Sequence, residues 1–176
     1  MRISMLTAAD MRAYRSLMLE AYEVASDAFT STVQERELEP DSWWIKRLSH
    51  PTGLSAVFGA FIDQQLVGTV ALEFTNKPKT RHKSHLIGMY VRPEARRAGA
   101  GRKLVTNAIA FAKARPDTKI ITLTVTNSNA PAQSLYESLG FKSFGLEPMA
   151  IRTADGYLDK VHMSLRLNSS TAGWAE

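Results

Sequence analysis

No cysteine occurs in this chain of 176 residues. That absence excludes disulfides, thiolate metal ligation and a cysteine nucleophile. It also fits an expectation of a cytoplasmic protein, where thiols are not needed as staples. Apolar runs long enough to span a bilayer are missing, so no membrane partner is expected. The stretch Met1 to Asp10 lacks the apolar core of a secretory signal. Histidine is scarce, and His50, His82, His85 and His162 form no recognisable metal array. With no His-Glu-x-x-His either, no metal is expected. There is no Gly-x-Ser-x-Gly elbow: Ser143 sits between Gly140 and Gly145 with one residue too many. Repeats, low-complexity tracts and linker-like stretches are absent too.

What is present points to one folded unit. A hydrophobic content of 44% can fill one sizeable core in a chain of this length. We expect a single domain over 1–167 and a polar, frayed tail over 168–176. Lys and Arg outnumber Asp and Glu by 22 to 17, a net charge of +5. Such a surplus favours anionic partners and solubility alike. No helix rich in basic and amide residues is seen, so no nucleic-acid partner is expected.

The hydrophobic period changes along the chain. Arg2 to Leu6 reads as a short strand, and Met11 to Val24 follows helical spacing through Leu17, Leu19 and Tyr22. Ser26 to Glu39 is broken and polar, a loop with a short helix. Pro40-Asp41-Ser42 opens a helix over Trp43 to Leu48, and Pro51-Thr52-Gly53 closes it. Leu54 to Ile62 and Leu66 to Phe74 are β-rich and separated by Asp63-Gln64-Gln65, a hairpin. A basic loop with Lys77, Lys79, Arg81, His82 and Lys83 leads to a strand over His85 to Val91. A helix over Gly101 to Ala114 stops at Pro116. Lys119 to Thr126 is an alternating β-branched strand. A helix with Pro131 in its first turn ends at Gly140. Lys142 to Leu146 and Lys160 to Leu167 form a last strand pair around Ala154-Asp155-Gly156. The order predicts an α/β fold: a central mixed, mostly antiparallel twisted sheet of about seven strands, flanked on both faces by about four helices.

The most informative stretch is Arg96-Arg97-Ala98-Gly99-Ala100-Gly101, between a buried strand and a helix. Strand, glycine turn and helix together present bare backbone N–H groups to an anion. The helix dipole favours negative charge there, glycines allow close approach, and arginines add forked donors. The spacing reads as a pyrophosphate cradle. It is not a P-loop, because no Ser or Thr follows Lys103. Nor is it a dinucleotide fingerprint, because Leu104 stands where the third glycine would be.

Arg-x-x-Gly-x-Gly after a strand resembles the acetyl-coenzyme A loop of the GCN5-related N-acetyltransferases. A second block is similar to the same family: the strand ending Thr124-Val125-Thr126, then Asn127-Ser128-Asn129, then a helix carrying Leu135-Tyr136 and ending at Gly140-Phe141. The two motifs stand in the family's order, and the resemblance runs from about Arg2 to Leu167. It implies an enzyme that moves an acetyl group from acetyl-coenzyme A, its co-substrate, to a primary amine by direct attack in a ternary complex. The other reading it leaves is a non-catalytic coenzyme A-binding or sensing module of the same fold.

The resemblance also implies roles. Arg96, Arg97, Ala98, Gly99, Ala100, Gly101 and Arg102 would hold the coenzyme phosphates. Backbone groups of Met89, Tyr90 and Val91 would pair with the pantetheine amides, with Asn129 near the same arm; Asn129 also suits an N-cap. Tyr136 would approach the coenzyme sulfur and act as the acid, or else be a packing residue. His85 stands where some members carry a catalytic glutamate, and a neutral imidazole can accept a proton near pH 7. Other members use ordered water and no single base. Glu73 is an alternative base or an amine-binding carboxylate, or a solvent-facing strand residue. Phe29, Trp43 and Trp44 lie where the family builds its acceptor wall, and Phe29, Glu73 and His85 are the candidate acceptor-binding residues. The acceptor itself, a small molecule or a peptide amine, is not legible. Family members often form homodimers, and nothing in the sequence sets the oligomer.

Overall fold

Strands that alternate apolar and polar residues bury one face and leave the other for chemistry, and this chain does so in its second half. The computed structural model describes residues 1–167; the expected frayed tail lies outside the described residues. Seven strands form one sheet in the order β1-β2-β3-β4-β5-β7-β6. They are β1 (Arg2–Met5), β2 (Ser55–Ile62), β3 (Gln65–Phe74), β4 (Lys83–Val91), β5 (Ile120–Thr126), β6 (Lys142–Thr153) and β7 (Gly156–Arg166). Every neighbouring pair is antiparallel except β4 and β5, which are parallel.

Among the described residues six α-helices accompany the sheet: α1 (Met11–Val24), α2 (Val33–Glu37), α3 (Asp41–Leu48), α4 (Pro93–Arg96), α5 (Ala100–Ala114) and α6 (Ala130–Ser138). The sequence led us to expect about four. Of the additional two, α2 is the short helix expected within Ser26 to Glu39, and α4 is a single turn, too short for a period to be visible. Thr32 caps α2, accepting from the Glu35 N–H at 3.2 Å while the Glu35 carboxylate accepts from the Thr32 N–H at 2.7 Å, a capping box.

Two cores result, one on each face. The helical repeat Leu104, Val105, Ala108 and Ala112 of α5 is fully buried against Val70, Leu72, Leu86, Ile121, Leu123 and Met163. Full burial of a leucine or valine such as Leu104 or Val105 is worth ~1.5–3 kcal/mol. On the other face Tyr14, Leu17, Met18 and Ala21 of α1 pack with Trp44 and Leu48 of α3 over Val57, Ala71 and Tyr90. Trp44 is fully buried and lies edge-on to Tyr14 at 5.9 Å. Arg92 bridges α1 to the end of β4: its guanidinium donates to both carboxylate oxygens of Glu20 at 2.7–3.0 Å, and the Tyr90 hydroxyl donates to the same carboxylate at 3.1 Å.

Two strand boundaries differ from expectation in an instructive way. The β2–β3 hairpin closes through Asp63 and Gln64 alone, with φ of 46° and 67°, because Ile62 pairs with Gln65. A two-residue turn of that hand matches the twist of the strands it joins. The final pair, β6 and β7, is much longer than Lys142 to Leu146 and Lys160 to Leu167. It continues to a Thr153–Gly156 pair, with Gly156 at φ 135°. β6 is the sheet's edge and is exposed along most of its length. It therefore shows no alternation, and Pro148 sits in the register break between Glu147 and Ile151, where no ladder bond is lost.

Candidate active site

The parallel pair β4 and β5 is in register only at Lys83–Ile120, Ser84–Ile121 and His85–Thr122. Beyond His85 the two strands part. The remainder of β4, through Val91, keeps β3 on one side and has no strand on the other. A bulge sharpens this opening. Ile87 pairs with Ala71 and Tyr90 with Thr69, so Gly88 and Met89 stand opposite one residue, and Gly88 adopts φ 59°. Such a bulge bends a strand and frees backbone groups from the ladder. The sequence carried its signal, an isolated glycine in an apolar strand run, and our reading passed over it.

The gap opens into a cleft of about 400 Å³ lined by His85, Ile87, Gly88, Met89, Thr124, Thr126, Asn129, Tyr136, Glu147, Lys160 and the Ala28–Phe29–Thr30 segment. Segments far apart in sequence are pinned there. The Thr126 hydroxyl donates to the Asp27 carbonyl at 2.6 Å, holding the turn that carries Phe29 against β5. Phe29 is held edge-on by Tyr22 at 5.0 Å. Asn129 caps α6, its Oδ1 accepting from the Ala132 N–H at 3.2 Å. Tyr136 is 5% exposed and packs edge-on against Phe141 at 5.8 Å. Burial raises its phenol well above the ordinary value, so the hydroxyl stays protonated across the working range of pH.

His85 is half-buried, and its Nδ1 lies 2.9 Å from the Thr122 hydroxyl. That hydroxyl in turn donates to the Ser84 carbonyl at 3.3 Å. With the hydroxyl proton assigned to the Ser84 carbonyl, Thr122 accepts from Nδ1, which then carries the imidazole proton and leaves a lone pair on Nε2. Burial lowers the proton affinity of His85 below the ordinary histidine value; Glu73 opposes that shift, and His162 and Lys160 reinforce it. The imidazole is therefore neutral at pH 7.

Beside the cleft, at the start of α5, Gly99 is the N-cap with φ 76°, a backbone state that glycine adopts without strain. Lys103 is the first residue of α5 whose N–H closes back, onto the Gly99 carbonyl at 3.1 Å. The N–H groups of Ala100, Gly101 and Arg102 have no backbone acceptor among the described residues. Gly101 is small for a packing reason too. A Cβ there would come within 3.1 Å of the Met89 Cε and 3.2 Å of the Leu135 Cδ2. The arginines divide the work: Arg96 donates through Nε to the Val91 carbonyl at 2.9 Å, tying the loop to β4. Arg102 donates to the Ser138 hydroxyl at 2.8 Å. Arg97 is exposed and has no side-chain partner among the described residues.

Other candidates stand elsewhere. Glu73 is directly across from His85 on β3 but outside the cleft lining, and pairs with Arg47 at 4.0 Å. Trp43 and Trp44 belong to the α1–α3 core, with Arg36 and Arg47 stacked on Trp43 at 4.6 and 4.9 Å. The sequence reading missed Thr122, Glu147, Lys160 and His162. Alternation was the available signal: Thr122, Thr124 and Thr126 on β5, and Lys160, His162 and Ser164 on β7, are the polar halves of strands whose apolar halves are core. Among the described residues, no group of three or more His, Asp or Glu could hold a metal ion, and no helix is long and apolar enough to cross a membrane.

The architecture has known counterparts. No curated protein sequence matches the chain significantly. Among solved structures, a ribosomal-protein-alanine N-acetyltransferase from Brucella melitensis is 25% identical, with a TM-score of 0.78 over 95% of this chain and 100% of that one. A GNAT superfamily phosphinothricin acetyltransferase from Sinorhizobium meliloti, solved in complex with AcCoA, is 21% identical, with a TM-score of 0.82 over 98% and 91%. An acetyltransferase of the GNAT family from Streptococcus pneumoniae is 19% identical, with a TM-score of 0.82 over 95% and 99%. Residues 18–141, from within α1 to the end of the Gly140-Phe141 motif, match the acetyltransferase (GNAT) family model. With that match over most of its length, and with the splayed β4–β5 pair and the glycine turn where the sequence motifs fall, the chain belongs to the GNAT acetyltransferase family.

Proposed function

We propose that this protein is an acetyl-coenzyme A-dependent N-acetyltransferase acting on a primary amine by direct attack within a ternary complex. One observation supports this above the others. The unpaired edge of β4 and the unpaired N–H groups of Ala100, Gly101 and Arg102 lie on either side of Met89 and Val91, residues that Gly101 itself packs against. An extended amide chain ending in a diphosphate suits that pair of features: it would add to a strand edge at one end and meet a helix N-terminus at the other. The residues present therefore fit the coenzyme. Gly99 to Arg102 and Arg97 would hold its phosphates, and backbone groups of Met89, Tyr90 and Val91, together with Asn129, its arm.

When bound, acetyl-coenzyme A supplies a thioester carbonyl, at which the amine nitrogen forms a C–N bond as the C–S bond breaks. The chain's own residues manage the protons. An alkylamine with pKa near ~10.4 sits ~3 units above neutral, a handicap of ~4 kcal/mol in nucleophile concentration. Nε2 of His85, neutral and oriented by Thr122, accepts the proton the amine must lose. The Tyr136 phenol, kept protonated by burial, donates to the departing sulfur, whose thiol pKa is near ~8.5. The backbone N–H groups freed by the Gly88–Met89 bulge are suited to the oxygen that gains negative charge. No side chain among the described residues has the setting of an activated nucleophile, which favours direct attack over an acyl-enzyme.

Two measurements test this reading. Isothermal calorimetry should show one coenzyme A site per chain, weakened by salt as expected for a phosphate cradle, and amine-dependent thiol release from acetyl-coenzyme A should follow. Uptake of coenzyme without turnover on any amine would favour the binding-module reading; no uptake removes both. In addition, His85→Gln should lower kcat about 100-fold at pH 8. Because the His85 pKa is shifted down, the base stays active somewhat below pH 6.5. The ratio of wild-type to variant kcat then falls toward one as acid protonates Nε2. Taking the ratio at each pH divides out the ionisation of the amine, and a ratio independent of pH would mean that His85 is not the base.

A further inference from the structure

On the face away from α5 and α6, the sheet turns polar between β3 and β6. Its cross-strand rows read Glu73–His85–Thr122–Ser164–Lys142, then Thr124–His162–Gly145, then Thr126–Lys160–Glu147. α1 and α3 cover this face only over the first four strands, and the Ser26–Ala28 turn reaches β5. The two carboxylates in the rows have partners, and Lys142 is exposed to solvent. Glu73 has Arg47, and Glu147 is held at 2.9 Å by Nε2 of His162. Lys160 is not matched. It is 9% exposed and lines the cleft shared with Gly88, His85 and Tyr136. Its ammonium has neither a hydrogen-bond acceptor nor a carboxylate within ion-pair distance among the described residues. Burial lowers its proton affinity, and the Glu147 charge offsets only part of that.

The stem of Lys160 is buried and its ammonium opens into the cleft with no counter-ion held against it among the described residues; partial burial of such a charge is costly. A strand position next to a binding cleft keeps such a group usefully when a ligand brings the missing charge. Resting on the acetyltransferase reading above, we propose that Lys160 binds the carboxylate of the acceptor, so that the preferred amines are small free amino acids rather than plain alkylamines or amides. Glu147 does not supply this charge, because its carboxylate is turned to His162 at the exposed rim. A cleft of about 400 Å³ that also admits the coenzyme arm leaves room for a molecule of amino-acid size.

The test compares each common amino acid with its amide as acceptor, using thiol release for kcat and KM and calorimetry on the coenzyme-free protein for direct binding. The best acid should exceed its amide in kcat/KM by about 10- to 100-fold, the range of a charge-assisted hydrogen bond. Lys160→Met should bring that ratio close to one by raising KM for the acid, and Lys160→Arg should restore most of it. The Met variant loses no partner and keeps the packing volume, so its melting temperature should not fall. Acid and amide acetylated equally well by the wild type would overturn the proposal while leaving the acetyltransferase reading intact. So would a Met variant that lost activity on both alike or lost coenzyme affinity. Conversely, Lys160-dependent binding of amino acids by a protein that takes up no coenzyme would remove the acetyltransferase reading and keep the carboxylate site. Absence of both would remove both.

Discussion

Replacing Tyr136 with phenylalanine should lower kcat for acetyl transfer about 100- to 1000-fold while leaving coenzyme affinity within roughly threefold. Phenylalanine preserves the shape that packs against Phe141 and removes only the hydroxyl. The tyrosine is 95% removed from solvent by area, with 5% exposed, so the side chain sits in the wall of the cleft with its phenol as its one polar group. Burial without a charged neighbour is the cause of its raised pKa, and this has a kinetic consequence. The hydroxyl cannot serve as a base near neutrality, yet it is present as a donor across the working range of pH. The alkaline side of the pH profile therefore does not belong to Tyr136. If kcat and coenzyme affinity fell together in Tyr136→Phe, the residue would be a packing element of the coenzyme channel and not a proton donor. Steady-state kinetics beside calorimetry on the same preparation separates the two.

The order of elements was legible because each carries its own period. α1 and α5 show helical spacing with clear stops, and β2, β3 and β5 are β-branched runs bounded by turn residues. What was hidden is what a period cannot record. β6 lies at an edge with both faces wet, so its composition is that of a loop, although its pairing with β7 runs from Lys142 to Thr153. α2 and α4 are single turns fixed by a capping box and by proline rather than by an apolar stripe. The same distinction governs the site. Candidates attached to a motif, Asn129 and Tyr136, and those on the cradle strand, His85 and Met89, come together around one cleft with Phe29. Glu73, placed only by its neighbouring strand, and Trp43 and Trp44, placed only by the region they occupy, do not line it. Lys160, Glu147 and His162 enter by way of strand register, which depends on pairing across the sheet. A lysine in an alternating strand looks solvent-facing until register sets it beside Thr126, which pins the Ser26–Ala28 turn over that end of the face.

Gly101→Val should abolish measurable coenzyme binding, by at least about 100-fold, in a protein that still folds. The argument rests on where the first turn of α5 is held. The Cβ of any residue at 101 would stand 3.1 Å from the Met89 Cε and 3.2 Å from the Leu135 Cδ2. A single methyl could be absorbed, because both neighbours are ends of flexible side chains. A branched side chain adds two more carbons in the same confined space, and overpacking of that kind costs ~1–3 kcal/mol. The strain is relieved most easily by moving the first turn of α5 away from β4 and α6, since its polar anchors there are two, the Arg96 bond to Val91 and the Arg102 bond to Ser138, beside the buried Ala100. Such a movement carries the free N–H groups of Ala100, Gly101 and Arg102 away from the end of the β4 edge. Each charge-assisted hydrogen bond lost to a phosphate oxygen is worth ~1.5–3 kcal/mol, so displacing even two accounts for a loss of that size. The rest of α5, buried through Leu104, Val105, Ala108 and Ala112, keeps the fold in place. Gly99→Ala provides the contrast. Nothing lies within 4 Å of a Cβ there, but the backbone is held at φ 76°, so that variant costs ~1–2 kcal/mol of left-handed strain without crowding the helix. Circular dichroism melts with coenzyme calorimetry on the two variants should show similar modest destabilisation and a far larger affinity loss for Gly101→Val. Equal affinity losses would mean that the turn's conformation, and not the seating of α5 against β4, controls coenzyme binding.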